Sequence, residues 1–266
     1  MGIPRDIVQR EPGLSLWCIL SAYRGSISHN MFVPKNDPNS IDDRDVMAVC
    51  VPDHHHYLGL ESYGHQNNGT KEIKEGEWDI VVYELRKFMA LLLKGNPNVL
   101  SLLWTDENHF LVRTTAGNML LDNRKLFVGK HVYQSFVGYA HGQLHRMTHM
   151  AFEGYMGEKR KGLVEKFGYD TKNATHLIRL LRMGSEFLLT GELLVARPDN
   201  NQLLEIKRGE WSLERVQAEA DRQFARAEEA FTKSTLPVEP DKRAVSELCV
   251  DIISETWRSR RARKIG

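Results

Sequence analysis

The sequence predicts an α+β fold, with a sheet-bearing domain over residues 1–130 and a mainly helical C-terminal domain over residues 131–266. Three observations carry that expectation. Segment 78–85, WDIVVYEL, alternates as a strand does, which sets Asp79, Val81 and Tyr83 on one face. Directly after it, YELRKFMALLLKGNP changes to helical spacing through Leu85, Phe88 and Leu92, with Gly95 and Pro97 as a stop. Past residue 131 the helical period persists through SFVGYAHGQLHRM, through DTKNATHLIRLLRMGSEFLLTG and again after Ser212.

The remaining elements follow in chain order. LSLWCILSAY, from Leu14 to Tyr23, is a strand or short buried helix that meets Arg24-Gly25-Ser26, where glycine lets the backbone turn tightly. PKNDPNS concentrates turn formers and feeds DDRDVMAVCVP, an acidic entry into a β-branched, strand-like run. His54 to Gly76 reads as polar and glycine-containing, and LLVA near residue 195 as a short strand. The helix after Ser212 carries the stripe Leu213, Val216, Ala220, Phe224 and Phe231. After a linker from Thr235 to Pro240, a terminal helix carries Val245, Leu248, Ile252 and Trp257 before the basic tail RSRRARK.

Composition narrows the class of function. Among 266 residues, 41% are apolar and 27% charged, which is ordinary for a soluble globular protein. A formal net charge of +1 excludes a dedicated polyanion binder working through its whole surface. Cys18, Cys50 and Cys249 lack the paired spacing of a zinc site or disulfide framework, so they read as buried thiols in a reducing compartment. With no signal-peptide core, no membrane-length apolar run, and Asp6 where a myristoylation signal needs Ser or Thr, the expected location is the cytoplasm.

The chemistry sits where acidic residues enter strands. Phosphoryl and nucleotidyl transfer needs divalent cations held by clustered hard oxygens. Asp43 and Asp45, one residue apart on a strand, project from the same face, and Asp79 on a neighbouring strand completes such a ligand set. Upstream, the turn at Gly25 and Ser26 offers backbone N–H groups and a small hydroxyl to phosphate oxygens. Asp42 precedes the pair and Glu77 shares a strand face with Asp79, so a register shift would exchange these ligands.

The glycine-serine turn followed by SIDDRDVMAVCVP resembles the signature of the DNA polymerase beta nucleotidyltransferase superfamily. DIVVYELRKFMALLLKGNPNVLSLLW, KNATHLIRLLRMGSEFLLTGEL and LLEIKRGEWSLE are similar to segments of a prokaryotic and phage family of nucleotidyltransferases within it, some relatives of which are associated with RNA repair. The chain departs from the superfamily pattern in the 16 residues between Ser26 and Asp43 and in the continuation Ile27-Ser28-His29-Asn30. The resemblance implies a mixed-sheet palm followed by a helical region, Mg2+ (or Mn2+) as cofactor and a nucleoside triphosphate, ATP among them, as donor. It implies Asp43, Asp45 and Asp79 as catalytic metal ligands and Gly25 and Ser26 as triphosphate holders. The expected acceptor is a hydroxyl, an RNA end first; the alternative function is a catalytically idle nucleic-acid-binding or regulatory module on the same fold.

Several further residues have two readings. Lys172, His176 and Arg179 fall on one face of a helix opposite Leu177, Leu180 and Leu181, and they either contact triphosphate or nucleic acid or form a solvated stripe. His141, His145 and His149, and the run His54-His55-His56, read as solvent-facing or core-satisfied rather than as zinc ligands. Lys87 reads as a partner of Glu84, and the tail arginines as a solvated, salt-sensitive contact.

Overall fold

In the computed structural model, residues 2–34, 43–148 and 158–265 are described, residues 148, 158–160 and 263–265 by their backbone alone. Most of the turn-forming PKNDPNS loop, together with Asp42 and His149, lies outside the described residues. Segment 12–23 divides into a short helix, Pro12–Ser15, and strand β1 (Cys18–Tyr23). The β-branched run is β2 (Arg44–Cys50), and the alternating run is β4 (Trp78–Glu84). Two further strands, β3 (Thr70–Glu75) and β5 (Phe110–Arg113), form where the sequence shows no apolar alternation.

The five strands make one mixed sheet in the order β3-β4-β2-β1-β5. β2 and β4 pair in parallel, and every other neighbouring pair is antiparallel. β3 lies at an edge, where the charged side chains of its TKEIKE sequence disfavour pairing with another strand. The β3–β4 hairpin turns at Gly76, whose φ of +61° suits glycine, and so returns the chain beside β2.

The two faces of the sheet are covered differently. Val46, Ala48, Cys50, Ile80 and Val82 pack with Ile7, Leu14 and Tyr63 beneath the N-terminal helices. Met47, Val49 and Val81 face a larger core that continues through Phe88, Phe136, Leu177, Leu181, Val216 and Ile252. The helical half therefore packs on the face of the sheet that carries Asp45 and Asp79.

At the centre of the helical half is the Thr171–Thr190 helix, started by the Asp170 carboxylate accepting from Asn173 N (3.0 Å) and ended at Gly191 in the left-handed region. Arg182 pairs with Asp199 (2.7 Å) and Glu219 (2.6 Å), and Arg197 with Glu186 (2.6 Å) and Asp199 (2.7 Å). LLVA is not a strand: the segment has no regular structure, and the Val195 carbonyl lies against the His29 ring instead of a neighbouring strand. The terminal helix runs Lys242–Ile265 through the basic tail. There Trp257 donates to Pro52 O (3.1 Å) and Arg260 to Val51 O (2.7 Å) and Trp17 O (3.1 Å), which fixes the helix to the end of β2 away from Asp45. Among the described residues, no helix is long and apolar enough to cross a membrane.

Two glycines test this packing in opposite senses. A Cβ on Gly184 would stand 2.9 Å from the Phe136 Cβ, where the Thr171–Thr190 helix crosses the Val132–Thr148 helix, whereas one on Gly138 meets nothing within 4 Å. Gly184→Ala is expected to lower stability by about 1–2 kcal/mol, because overpacking outweighs the helix-propensity gain. Gly138→Ala is expected to raise it by about 0.5–1 kcal/mol. Urea denaturation of both variants checks the pair, and equal signs would contradict the crossing.

Candidate active site

The site is built on the parallel pairing of β2 and β4, in which Asp45 and Asp79 are direct partners. Parallel strands lie about 4.8 Å apart, so two carboxylates in register on one face are held close without a loop to position them. Side-chain alternation sends Asp45, Met47 and Val49 to the helical side, along with Asp79 and Val81. Asp43, immediately before β2, is half-buried; its charge and that of Asp79 both act on Asp45.

β1 delivers the turn. Arg24 N donates to Asp45 O (2.9 Å), and the chain then enters the short Gly25–Ser28 helix. Gly25 has φ +64°, and a Cβ there would lie 2.4 Å from Asp45 Oδ2. Only glycine fits this approach of turn to carboxylate.

Between the sheet end and the helices lies a cavity of about 380 Å³. Gly25, Ser26, Asp45 and Asp79 line one side of it, and Lys172, His176 and Arg179 from the Thr171–Thr190 helix line another. Seven of the eight residues expected to hold metal or triphosphate thus meet at one place, and the eighth, Asp43, is outside the lining but acts through its charge on Asp45. The same helix face could have been a solvated stripe; it is instead enclosed, with Arg179 only 4% exposed. Arg182, by contrast, is committed to its carboxylates.

Sequence reasoning missed several lining residues. Arg24 places Nη2 3.3 Å from Asp79 Oδ1 and 3.9 Å from Asp45 Oδ1. Its signal was a basic residue directly before the glycine-serine turn. Arg146 and Lys207 arrive from helices distant in sequence, as do the polar Asn98, Tyr139 and Gln143. The lining carries five cationic side chains, Arg24, Arg146, Lys172, Arg179 and Lys207, against two carboxylates. The local excess of positive charge suits a polyanion even though the whole chain is nearly neutral.

Burial moves the charges in this cavity toward neutrality. Asp45 rises from 3.8 to about 6, first through burial, opposed by Arg24 and Lys172 and assisted by Asp79 and Asp43. Arg179 falls to about 10, again through burial and then through the like charge of Arg197. Among the described residues its Nε has no hydrogen-bond partner, and its Nη1 reaches only Met183 Sδ (3.2 Å). His29, buried with Nδ1 2.8 Å from Val195 O, is held well below the usual imidazole range by burial and by Arg179, so it is neutral.

The other sequence candidates lie elsewhere. Glu77 lies 3.1 Å from Arg44, on the opposite face of β2 from Asp45. His141 stacks on Phe224 at 4.4 Å. His56 lies 3.3 Å from Asp53 and 3.7 Å from Glu61, a group whose ligand atoms fall within 4.8 Å of one another, but none of the three lines the cavity. Glu84 caps the following helix by accepting from the backbone N–H of Arg86 and of Lys87.

Comparison with known proteins gives the family. No curated protein matches the chain. Among solved structures it is similar to a nucleotidyltransferase-like protein from Exiguobacterium sibiricum, at 11% identity and a TM-score of 0.30 over 86% of this chain and 73% of that one. Residues 37–251 match the model of a family described as RlaP, RNA repair pathway DNA polymerase beta family. That match takes in β2, β4 and the cation-bearing helix together, and the chain belongs to this RlaP family of DNA polymerase beta-type nucleotidyltransferases, enzymes that transfer phosphorus-containing groups.

Proposed function

We propose that the chain transfers a nucleoside monophosphate from a nucleoside triphosphate, ATP among them, to a hydroxyl acceptor, with release of pyrophosphate and an RNA end as the first acceptor. The observation that carries this reading is the cavity that places the Asp45–Asp79 pair opposite a buried Arg179 lacking a carboxylate hydrogen bond among the described residues. A guanidinium kept in the interior without a paired anion is costly, and a phosphate group relieves that cost.

Asp45 and Asp79, together with Asp43, whose charge acts on Asp45, would hold Mg2+ or Mn2+ through hard carboxylate oxygens. Bound there, such ions supply charge neutralisation at the reacting phosphate and polarise the attacking hydroxyl. Gly25 and Ser26 present the turn to phosphate oxygens, and Lys172, His176 and Arg179 face the same polyanion from the helix. Asp79 accepts the proton of the acceptor hydroxyl.

Asp45→Asn and Asp79→Asn each remove a ligand charge with little change of volume. Each is expected to lower transfer from labelled triphosphates to pooled RNA, DNA and protein acceptors by at least about a thousandfold with Mg2+ or Mn2+ present. Unchanged turnover in either variant would refute the site. Arg179→Met is expected to raise the KM for triphosphate about tenfold or more, with Arg179→Lys between the two. An unaltered KM would remove Arg179 from the triphosphate site.

Asp45 also sets a pH dependence of stability. Its folded-state value lies above the ordinary 3.8, so its ionised form is a cost in the native chain that is present above pH 6 and disappears as pH falls from about 6 to 3.8. That rise corresponds to about 3 kcal/mol. In the absence of metal, Asp45→Asn should therefore melt several degrees higher than the parent at pH 7.5, with the advantage vanishing by pH 4. Calorimetry at both pH values checks it, and a gain that persists at pH 4 contradicts this origin.

A further inference from the structure

The guanidinium of Arg24 sits where a cation bound by Asp45 and Asp79 would compete with it, and its contacts differ in kind from those of the structural arginines. Arg197 is 1% exposed at its side chain and gives all three of its nitrogens to Glu186 and Asp199 at 2.6–2.9 Å. Arg24 is 27% exposed, and its recorded carboxylate contacts come from Nη2, at 3.3 Å to Asp79 and 3.9 Å to Asp45. Its Nε is buried with no hydrogen-bond partner among the described residues. Arginine–carboxylate pairs are frequently short and bidentate, as at Arg197; Arg24 makes a long, shared contact.

Its backbone, in contrast, is fixed. Arg24 N donates to Asp45 O at 2.9 Å, and the next residue, Gly25, is pressed against the Asp45 carboxylate. The side chain therefore pivots about a point anchored to β2, beside the turn and inside the cavity that also holds Lys172 and Arg179. From that pivot the two groups in reach are the carboxylate pair and whatever anion enters the cavity.

We propose that Arg24 is a place-holding cation: it neutralises Asp45 and Asp79 in the metal-free chain, yields them to a divalent ion, and turns to the phosphates of the incoming triphosphate. The inference rests on the metal-site reading above. Its consequence is coupling, because a metal without triphosphate must displace Arg24 into a cavity already rich in positive charge, whereas a metal arriving with triphosphate gives Arg24 an anion to bind. Arg24 thus penalises the metal alone and favours the complex.

The test is Mn2+ binding to the nucleotide-free full-length chain, read from the electron paramagnetic resonance signal of free Mn2+, alongside binding of α,β-methylene ATP with Mn2+ present. Arg24→Met is expected to bind Mn2+ about fivefold more tightly than the parent and the triphosphate analogue about tenfold more weakly, with Arg24→Lys intermediate in both. Arg24→Gln, which keeps a polar end, should shift both affinities in the same directions as Arg24→Met and serves where the methionine variant folds poorly. Opposite movement of the two affinities is the signature, since loss of a merely structural contact weakens both. Mn2+ affinity that is unchanged or reduced in Arg24→Met and Arg24→Gln, while Asp79→Asn abolishes it, overturns the exchange and leaves the metal site standing. Mn2+ binding that survives Asp79→Asn overturns the metal site itself and this inference with it.

Discussion

The register between β2 and β4 is the constraint from which the site follows. Pairing Asp45 with Asp79 requires that Val46 meet Ile80 and Ala48 meet Val82 on one face while Met47 meets Val81 on the other. Both faces are buried, so a slip of one residue would exchange the side chains packed in the two cores and take Asp45 and Asp79 out of register. The two strands are central in the sheet, with β1 and β3 completing their ladders. The acidic pair therefore stands at the rim of a packed core, and its spacing is set by backbone pairing.

On the proposed function, electrostatics favours a metal–triphosphate complex in the cavity over either component. Burial raises Asp45 to about 6 and lowers Arg179 to about 10, so each is held in its charged form against its surroundings. A cation relieves the first and an anion the second. Either ion alone would leave one charge unrelieved and would add to the charge of its own sign. A complex bearing both answers both, and His29, kept neutral beside Arg179, adds no further positive charge to the pocket.

Much of this could be read from the residues, and the failures have physical causes. WDIVVYEL shows a strand period because Asp79 and Tyr83, on one face, are less buried than their neighbours, so the strand and its carboxylate were legible together. β3 was invisible since an edge strand exposed on one side needs few apolar residues, and β5 is only four residues long. LLVA has strand propensity but lies against the buried His29 ring, with Val195 O 2.8 Å from its Nδ1, and propensity yielded to context. The Lys172, His176 and Arg179 face was ambiguous in one dimension because a polar stripe opposite an apolar one looks the same in solvent as in a cavity. Arg146 and Lys207 carried no local signal at all; their place depends on how distant helices pack.

That dependence on packing also locates the rigid part of the machine. Two of the five cations, Lys172 and Arg179, come from a helix whose apolar residues belong to the core, whose start is capped by Asp170, and whose Arg182 is locked to Asp199 and Glu219. A helix shifted by one turn would move Arg179 about 5.4 Å, enough to take its guanidinium out of its present place in the cavity lining. Close contact at Gly184 and Phe136 opposes such a shift, since the two backbones approach where no larger side chain fits. The carboxylates are held by strand pairing and the helix cations by core packing, so the distance between them is a property of the fold. The side chain of Arg24 differs from both: its backbone is anchored at the junction of the two, while its guanidinium reaches the carboxylates only at 3.3 and 3.9 Å.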